Sequence, residues 1–175
     1  MDKKILTGYG WYRLERTYQT NISKDYLTGE AAWDEYAALR ECIQNAMDEA
    51  QFMAEQNGGQ LLDYISLSAD SDWIRLHDKG RGVDWQHIFL LGRSDKRGSQ
   101  YRGEKGEGQL MAFLVFAKLG IPMRMFSQDW MAEARFDTYE GGSNEVLVLD
   151  LYKATVANNP KKMAVGTSWK VRNTN

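Results

Sequence analysis

Two prolines, two histidines and one cysteine are all that 175 residues contain of these types, and each scarcity excludes something. The lone thiol, Cys42, cannot close an internal disulfide, and with only His77 and His87 beside it the chain lacks the ligands of a Cys/His zinc site. Cys42 is expected as a core thiol, and the two histidines as surface or packing residues. No segment approaches the roughly 18 apolar residues of a membrane-spanning helix. The opening MDKKILTGYGWYRL carries basic residues but no continuous apolar run of the secretory kind. A cytoplasmic protein without a membrane partner is expected. An excess of one charge is also missing: 22 Lys and Arg oppose 24 Asp and Glu, for a net charge of −2. That balance gives no global attraction to nucleic acid, so direct nucleic-acid contact is not expected.

What is present is enough apolar material for one packed domain spanning residues 1–175: hydrophobic residues make up 43%, with six Trp, six Phe and nine Tyr. There is no repeat, linker or low-complexity tract. Residues 1–30 mix Tyr and Trp with charges and read as a strand or arm followed by a lead-in. From Ala31 to about Gln56 helix formers dominate, with Leu39, Ile43, Ala46 or Met47, Ala50 and Met53 at helical spacing and Asn57-Gly58-Gly59 as the stop. Leu61 to Ala69 and Trp73 to Asp78 alternate around an Asp-Ser-Asp turn and predict a hairpin, which puts Asp78 at a strand end. Asp84 can cap a short helix through Leu91. Residues 92–107 then hold Gly92, Gly98, Gly103 and Gly106 without apolar period and read as a long functional loop. Gly108 to Leu119 is apolar nearly all round and predicts a buried helix, stopped by Gly120 and Pro122. Strands at about 123–127, 130–138, 145–152 and 164–172 complete an expected α/β (α+β) two-layer sandwich, a mostly antiparallel mixed sheet covered by helices on one face.

Three short motifs stand in fixed order: Glu41 to Ala50 (ECIQNAMDEA), Asp78 to Gly82 (DKGRG) and Gly103 to Gly108 (GEKGEG). On a helix, Glu41, Asn45 and Asp48 or Glu49 share one face. A carboxylate there can take a proton from a water attacking a phosphoryl group, and an amide oxygen four residues on suits Mg²⁺, a hard cation. Taken alone, such a stripe is more often a solvated helix face. Asp78, at a strand end before Gly80 and Gly82, can accept from the exocyclic amine of adenine, where guanine would present a carbonyl oxygen. Taken alone, it is ordinary turn chemistry. GEKGEG opens a helix, so its backbone N–H groups and the positive helix end can face a phosphate chain. It is neither the dinucleotide GxGxxG nor a P-loop, because Glu104 stands where the P-loop needs Lys. Arg93, Lys96, Arg97, Arg102 and Lys105 crowd the loop before it. Lys96 and Lys105 are the expected phosphate contacts, against the plainer reading of a solvated loop.

Together the motifs resemble those of the GHKL ATPases (gyrase, heat-shock chaperone, histidine kinase, MutL), over about residues 35–172. The resemblance implies the Bergerat ATP-binding fold and ATP and Mg²⁺ as ligands. LRECIQNAMDEA looks like the family's N box, which implies Glu41 as general base, Asn45 as Mg²⁺ ligand and Asp48 as a nearby nucleotide contact. DKGRG is similar to the adenine motif, with Asp78, Gly80 and Gly82 matching. LGRSDKRG is similar to the start of the chaperone-type ATP lid, placed at 92–107. Gly103, Lys105, Gly106, Glu107 and Gly108 match the phosphate loop, and Gly166-Thr167 the final strand, where Thr167 supports the adenine-binding Asp. The motifs look closest to the chaperone, MutL and gyrase branch, with phage or bacterial chaperone-like ATPases among the nearest in form. In that branch a following domain usually supplies a Lys or Arg to the γ-phosphate. This sequence ends at Asn175, so slow Mg²⁺-dependent ATP hydrolysis with lid closure is expected. The alternative is an ATP-binding regulatory module without significant turnover, acting through a partner protein or as a homodimer.

Overall fold

The computed structural model describes residues 3–26, 33–89, 108–139, 142–155 and 164–174. Eight strands form one sheet: β1 (Lys4–Thr7), β2 (Gly10–Ser23), β3 (Ile65–Ala69), β4 (Trp73–Asp78), β5 (Met123–Gln128), β6 (Trp130–Thr138), β7 (Glu145–Ala154) and β8 (Ala164–Arg172). Their order across the sheet is β1-β2-β7-β6-β5-β8-β4-β3. All seven neighbouring pairs are antiparallel. Tight turns dictate this at β1–β2, β3–β4 and β5–β6, since a chain that reverses in a few residues can only pair with itself antiparallel.

Among the described residues three helices accompany the sheet: α1 (Glu35–Asn57), the single-turn α2 (Gln86–Phe89) and α3 (Gly108–Lys118), with a 3₁₀ turn at Leu61–Asp63. Asp34 starts α1 by accepting from Ala37 N–H at 2.8 Å, and Gly58, at φ 77°, ends it. Helix α3 is buried from Leu110 to Phe116 and forms the middle of the main core, between α1 and the sheet residues Leu76, Met125, Trp130, Leu149 and Trp169. Burying side chains of this size is worth about 1.5–3 kcal/mol each.

The expected helix-covered α/β sandwich of the Bergerat type does not describe this architecture. Strand is the main component, about 45% against 30% helix, in a sheet that is wholly antiparallel and curled like half a barrel. Two features overturn the expectation. Residues read as a strand or arm are a hairpin, in which the fourteen-residue β2 pairs with β7 and extends the sheet. The curl also encloses a second apolar cluster, Tyr12, Phe126, Met131 and Tyr152, each 0% exposed, on the face away from the helices. That face would be open in a simple two-layer arrangement.

Other expectations differ in detail. Leu61–Asp63 is a 3₁₀ turn rather than the start of a strand. Helix α1 starts at Glu35, so that Trp33 and the cap Asp34, both within the predicted helix, precede it. Its buried stripe overlaps the predicted one at Ala46 and Ala50 and adds Ala38 and Cys42, while Ile43 is 42% exposed. Small side chains let α1 approach the bulky α3, which selects that face over the one bearing Ile43. Cys42 is the core thiol expected, and burial pushes it up to about 12. No helix among the described residues is long and apolar enough to cross a membrane.

Candidate functional site

Helix α1 carries the first motif on the side that meets both β4 and α3. Glu41 and Asn45 are half-buried, one turn apart, and Asp48 and Glu49 are buried at 5% and 9% exposure. The polar stripe therefore points into the molecule, unlike a solvated helix face. Glu41 lies against the first residue of α3: a Cβ on Gly108 would come 2.3 Å from Glu41 Oε2. Any larger residue there would push the Glu41 carboxylate aside. Because α3 starts at that residue, its positive end sits beside the Glu41 carboxylate. Arg40 Nη2 approaches Glu41 Oε1 at 3.8 Å from the outside.

The second motif is tied to the same helix by Glu49. Arg81 presents Nη2 to Glu49 Oε1 at 2.7 Å and Nε to Oε2 at 3.1 Å, and its backbone N–H reaches Oε2 at 3.3 Å. The guanidinium also stacks on Phe52, 4.2 Å from the ring centre. The sequence left open whether Asp48 or Glu49 completes the stripe, and Glu49 engages the 78–82 turn. Gly80 is needed in this packing, since a Cβ would meet Asp78 Oδ1 and Glu49 Cβ at 2.7 Å each.

Asp78 ends β4 with no exposed surface. Its Oδ1 accepts from Gly80 N–H at 2.7 Å and from Thr167 N–H at 3.3 Å. The support expected from Thr167 thus comes through its backbone, while its hydroxyl turns toward Ser127 Oγ at 3.4 Å. Ser127 was not foreseen. Buried on β5, it accepts from Val83 N–H at 2.8 Å and donates to the Gly166 carbonyl at 3.0 Å. Trp130 Nε1 donates to the Val83 carbonyl at 2.9 Å, so both groups of Val83 are fixed just beyond the turn. A signal existed: alternation along β5 puts Met123, Met125 and Ser127 on the helix-facing side, where a hydroxyl needs a partner. Gly82 takes φ 78°, and a Cβ there would come 2.9 Å from Ser127 Oγ. His77, on the opposite face, shares a 3.1 Å hydrogen bond with the Thr167 carbonyl, and burial draws its pKa down. His87 is exposed.

Contacts thus join Glu41 to Gly108, and Asp78 to Gly80 and Thr167, with Gly80 against Glu49 and Gly82 against Ser127, while Asn45 and Asp48 lie on α1, half-buried and buried. Lys96, Gly103, Lys105, Gly106 and Glu107, and with them the expected lid at 92–107, lie outside the described residues. A magnesium ion bound with nucleotide phosphates needs few protein oxygens. Asn45, half-buried one turn from Glu41, fits as such a donor. No family model matches the chain, and no curated protein matches it at a significant level.

Proposed function

We propose that the chain binds Mg²⁺·ATP where α1, the Asp78–Gly82 turn and the N-terminus of α3 meet, and hydrolyses it in the manner of the GHKL ATPases. The observation that carries the reading is convergence. The first two motifs and Gly108, the last residue of the third, meet through Glu41 against Gly108 and Glu49 against Arg81, with Asp78 held from both sides. The reading rests on this arrangement of motifs and not on the sandwich that the curled sheet replaces.

In this reading Asp78 selects adenine, its carboxylate fixed by two backbone donors so that it can accept from the exocyclic amine. Gly80 and Gly82 let the base lie against the backbone. The positive end of α3 faces the phosphates. Glu41 accepts a proton from a water attacking the γ-phosphorus as the bond to the ADP oxygen breaks. Asn45 would hold the magnesium ion, which supplies charge neutralisation on the phosphate oxygens when bound. The cytoplasm, where ATP is supplied, is the setting proposed.

The test is Glu41→Ala. Turnover should fall roughly 10²–10⁴-fold, the usual contribution of a general base, while affinity for a non-hydrolysable ATP analogue stays within a few-fold. A variant as active as the parent would remove Glu41 from its role. A second reading, an ATP-binding module that acts through a partner protein or a second copy without significant turnover, is favoured by the outer face of α1, where Tyr36 is 74% and Ile43 42% exposed. Absence of turnover in the parent together with nucleotide-dependent association in light scattering would select it.

A further inference from the structure

On the sheet face opposite the helices, β4, β8 and β5 bring three cations into one register row: Arg75 pairs with Lys170 and Lys170 with Arg124. The alternation fixes the face, since Trp169 and Val171, flanking Lys170, belong to the main core under the helices. Arg75 is ion-paired with Asp70, Arg124 with Glu133, and Arg172, two residues along β8, with Asp72 at 3.1 Å. Lys170 differs. It is 7% exposed, and among the described residues no carboxylate lies within ion-pair distance of its ammonium. Its nearest described partners are the rings of Tyr9 and Phe126, 4.5 and 5.0 Å away. The β1–β2 turn passes over it, so close that a Cβ on Gly8 would sit 3.5 Å from Nζ. Tyr9 is fixed there by its hydroxyl, which donates to the buried Ser168 Oγ at 3.0 Å.

A buried ammonium is costly unless a counter-charge meets it, and two aromatic faces replace only part of its hydration. The two neighbouring guanidiniums add repulsion, each engaged with its own carboxylate, and Asp70 offsets only part of it. Among the described residues, Lys170 is thus the one cation of the row without a carboxylate of its own. We propose that Lys170, between Arg75 and Arg124 and beneath the Gly8–Tyr9 turn, is the centre of an anion site that takes a small oxyanion of the phosphate class. The field of three cations suits a doubly charged tetrahedral group better than chloride. Burial first, then Arg75 and Arg124, pull the Lys170 amine down to about 8, with Asp70 acting in the other direction. A bound anion would reverse that shift. The site is independent of the nucleotide reading, because it lies on the other face of the sheet.

The experiment follows the Lys170 ε-methylene and, in parent and variants alike, the backbone amides of Gly8 and Tyr9 by NMR in phosphate-free buffer at constant ionic strength while inorganic phosphate is added, then glycerol phosphate as a monoester, against chloride as control. A saturable change that raises the Lys170 pKa is expected, with phosphate affinity at least tenfold weaker in Lys170→Met and several-fold weaker in Arg75→Gln. Arg75→Gln carries the test if Lys170→Met does not fold. Asp78→Asn should leave the response intact. Tighter response to the monoester assigns a phosphorylated ligand, and the reverse assigns free phosphate. A response equal to that of chloride, or unchanged in a folded Lys170→Met or Arg75→Gln variant, overturns the proposal.

Discussion

The α-carbon of Gly166 is pressed onto the carbonyl of Asp78: a Cβ at position 166 would lie 2.1 Å from that oxygen and 2.7 Å from Gly80 N. The backbone there is at φ 79°, a conformation that side chains resist. The final strand and the Asp78 turn are thus locked by the absence of one methyl group. Gly166→Ala should cost roughly 2–4 kcal/mol, the range of strained or overpacked sites, as read from the urea midpoint. It should also lower nucleotide affinity, because Thr167 N–H would be displaced from Asp78. A variant within about 0.5 kcal/mol of the parent would mean that the turn and strand can separate without consequence.

Arg81 is more than half exposed, yet its partner Glu49 is buried, and that asymmetry sets the cost of removing either. Arg81→Ala leaves a buried carboxylate short of two charge-assisted bonds and should destabilise by about 1–3 kcal/mol. Glu49→Gln should cost less, since the amide keeps an acceptor for Arg81. A double-mutant cycle with Arg81→Ala and Glu49→Gln should return a coupling of about 1 kcal/mol, and additivity would show that the contact holds nothing together.

The helix, the hairpin and the last four strands were legible because their periodicity is local: alternation in Met123–Gln128 and uniform apolarity in Gly108–Lys118 speak for themselves. The N-terminal hairpin was not, since β2 interleaves aromatic and charged residues and owes its place to pairing with β7, more than a hundred residues away. The curl of the sheet is likewise a long-range property. In the site, the motif residues were legible, but their braces were not. Nothing in the sequence near Ser127 points to Val83, and nothing in ECIQNAMDEA says that Glu49 meets Arg81. The inward face of α1 was legible in part: Ala46 and Ala50 of the predicted stripe are buried and Leu39 packs on the core, while Ala38 and Cys42 are buried and Ile43 is exposed.

Asp78→Asn separates adenine recognition from folding. The asparagine Oδ1 can still accept from Gly80 and Thr167, so the urea midpoint should hardly move. The other end of the side chain changes from acceptor to donor. An unmatched polar contact of this kind is worth about 1–3 kcal/mol. Calorimetry should therefore show ATP-analogue affinity falling several-fold to a hundredfold, and discrimination against the GTP analogue narrowing. Unchanged ATP affinity would sink the adenine assignment.

Lys170 gives the chain a distinctive alkaline stability profile. Its amine is drawn down from 10.5 to about 8 in the folded state, so between those values the unfolded chain holds more protons than the folded one. Stability must then rise with pH across that window, by linkage. Below about pH 8 the lysine is charged in both states and its burial cost is present in full; above 10.5 it is neutral in both and the cost is gone. Lys170→Met, which keeps the aliphatic stem between Tyr9 and Phe126, should be more stable than the parent at pH 7 in phosphate-free buffer. The difference should shrink as pH is raised through 8 toward 10.5. Urea titrations at pH 7 and 9.5 measure it, and a gap between variant and parent that stays constant over that interval would show that the ammonium is not penalised in the folded state.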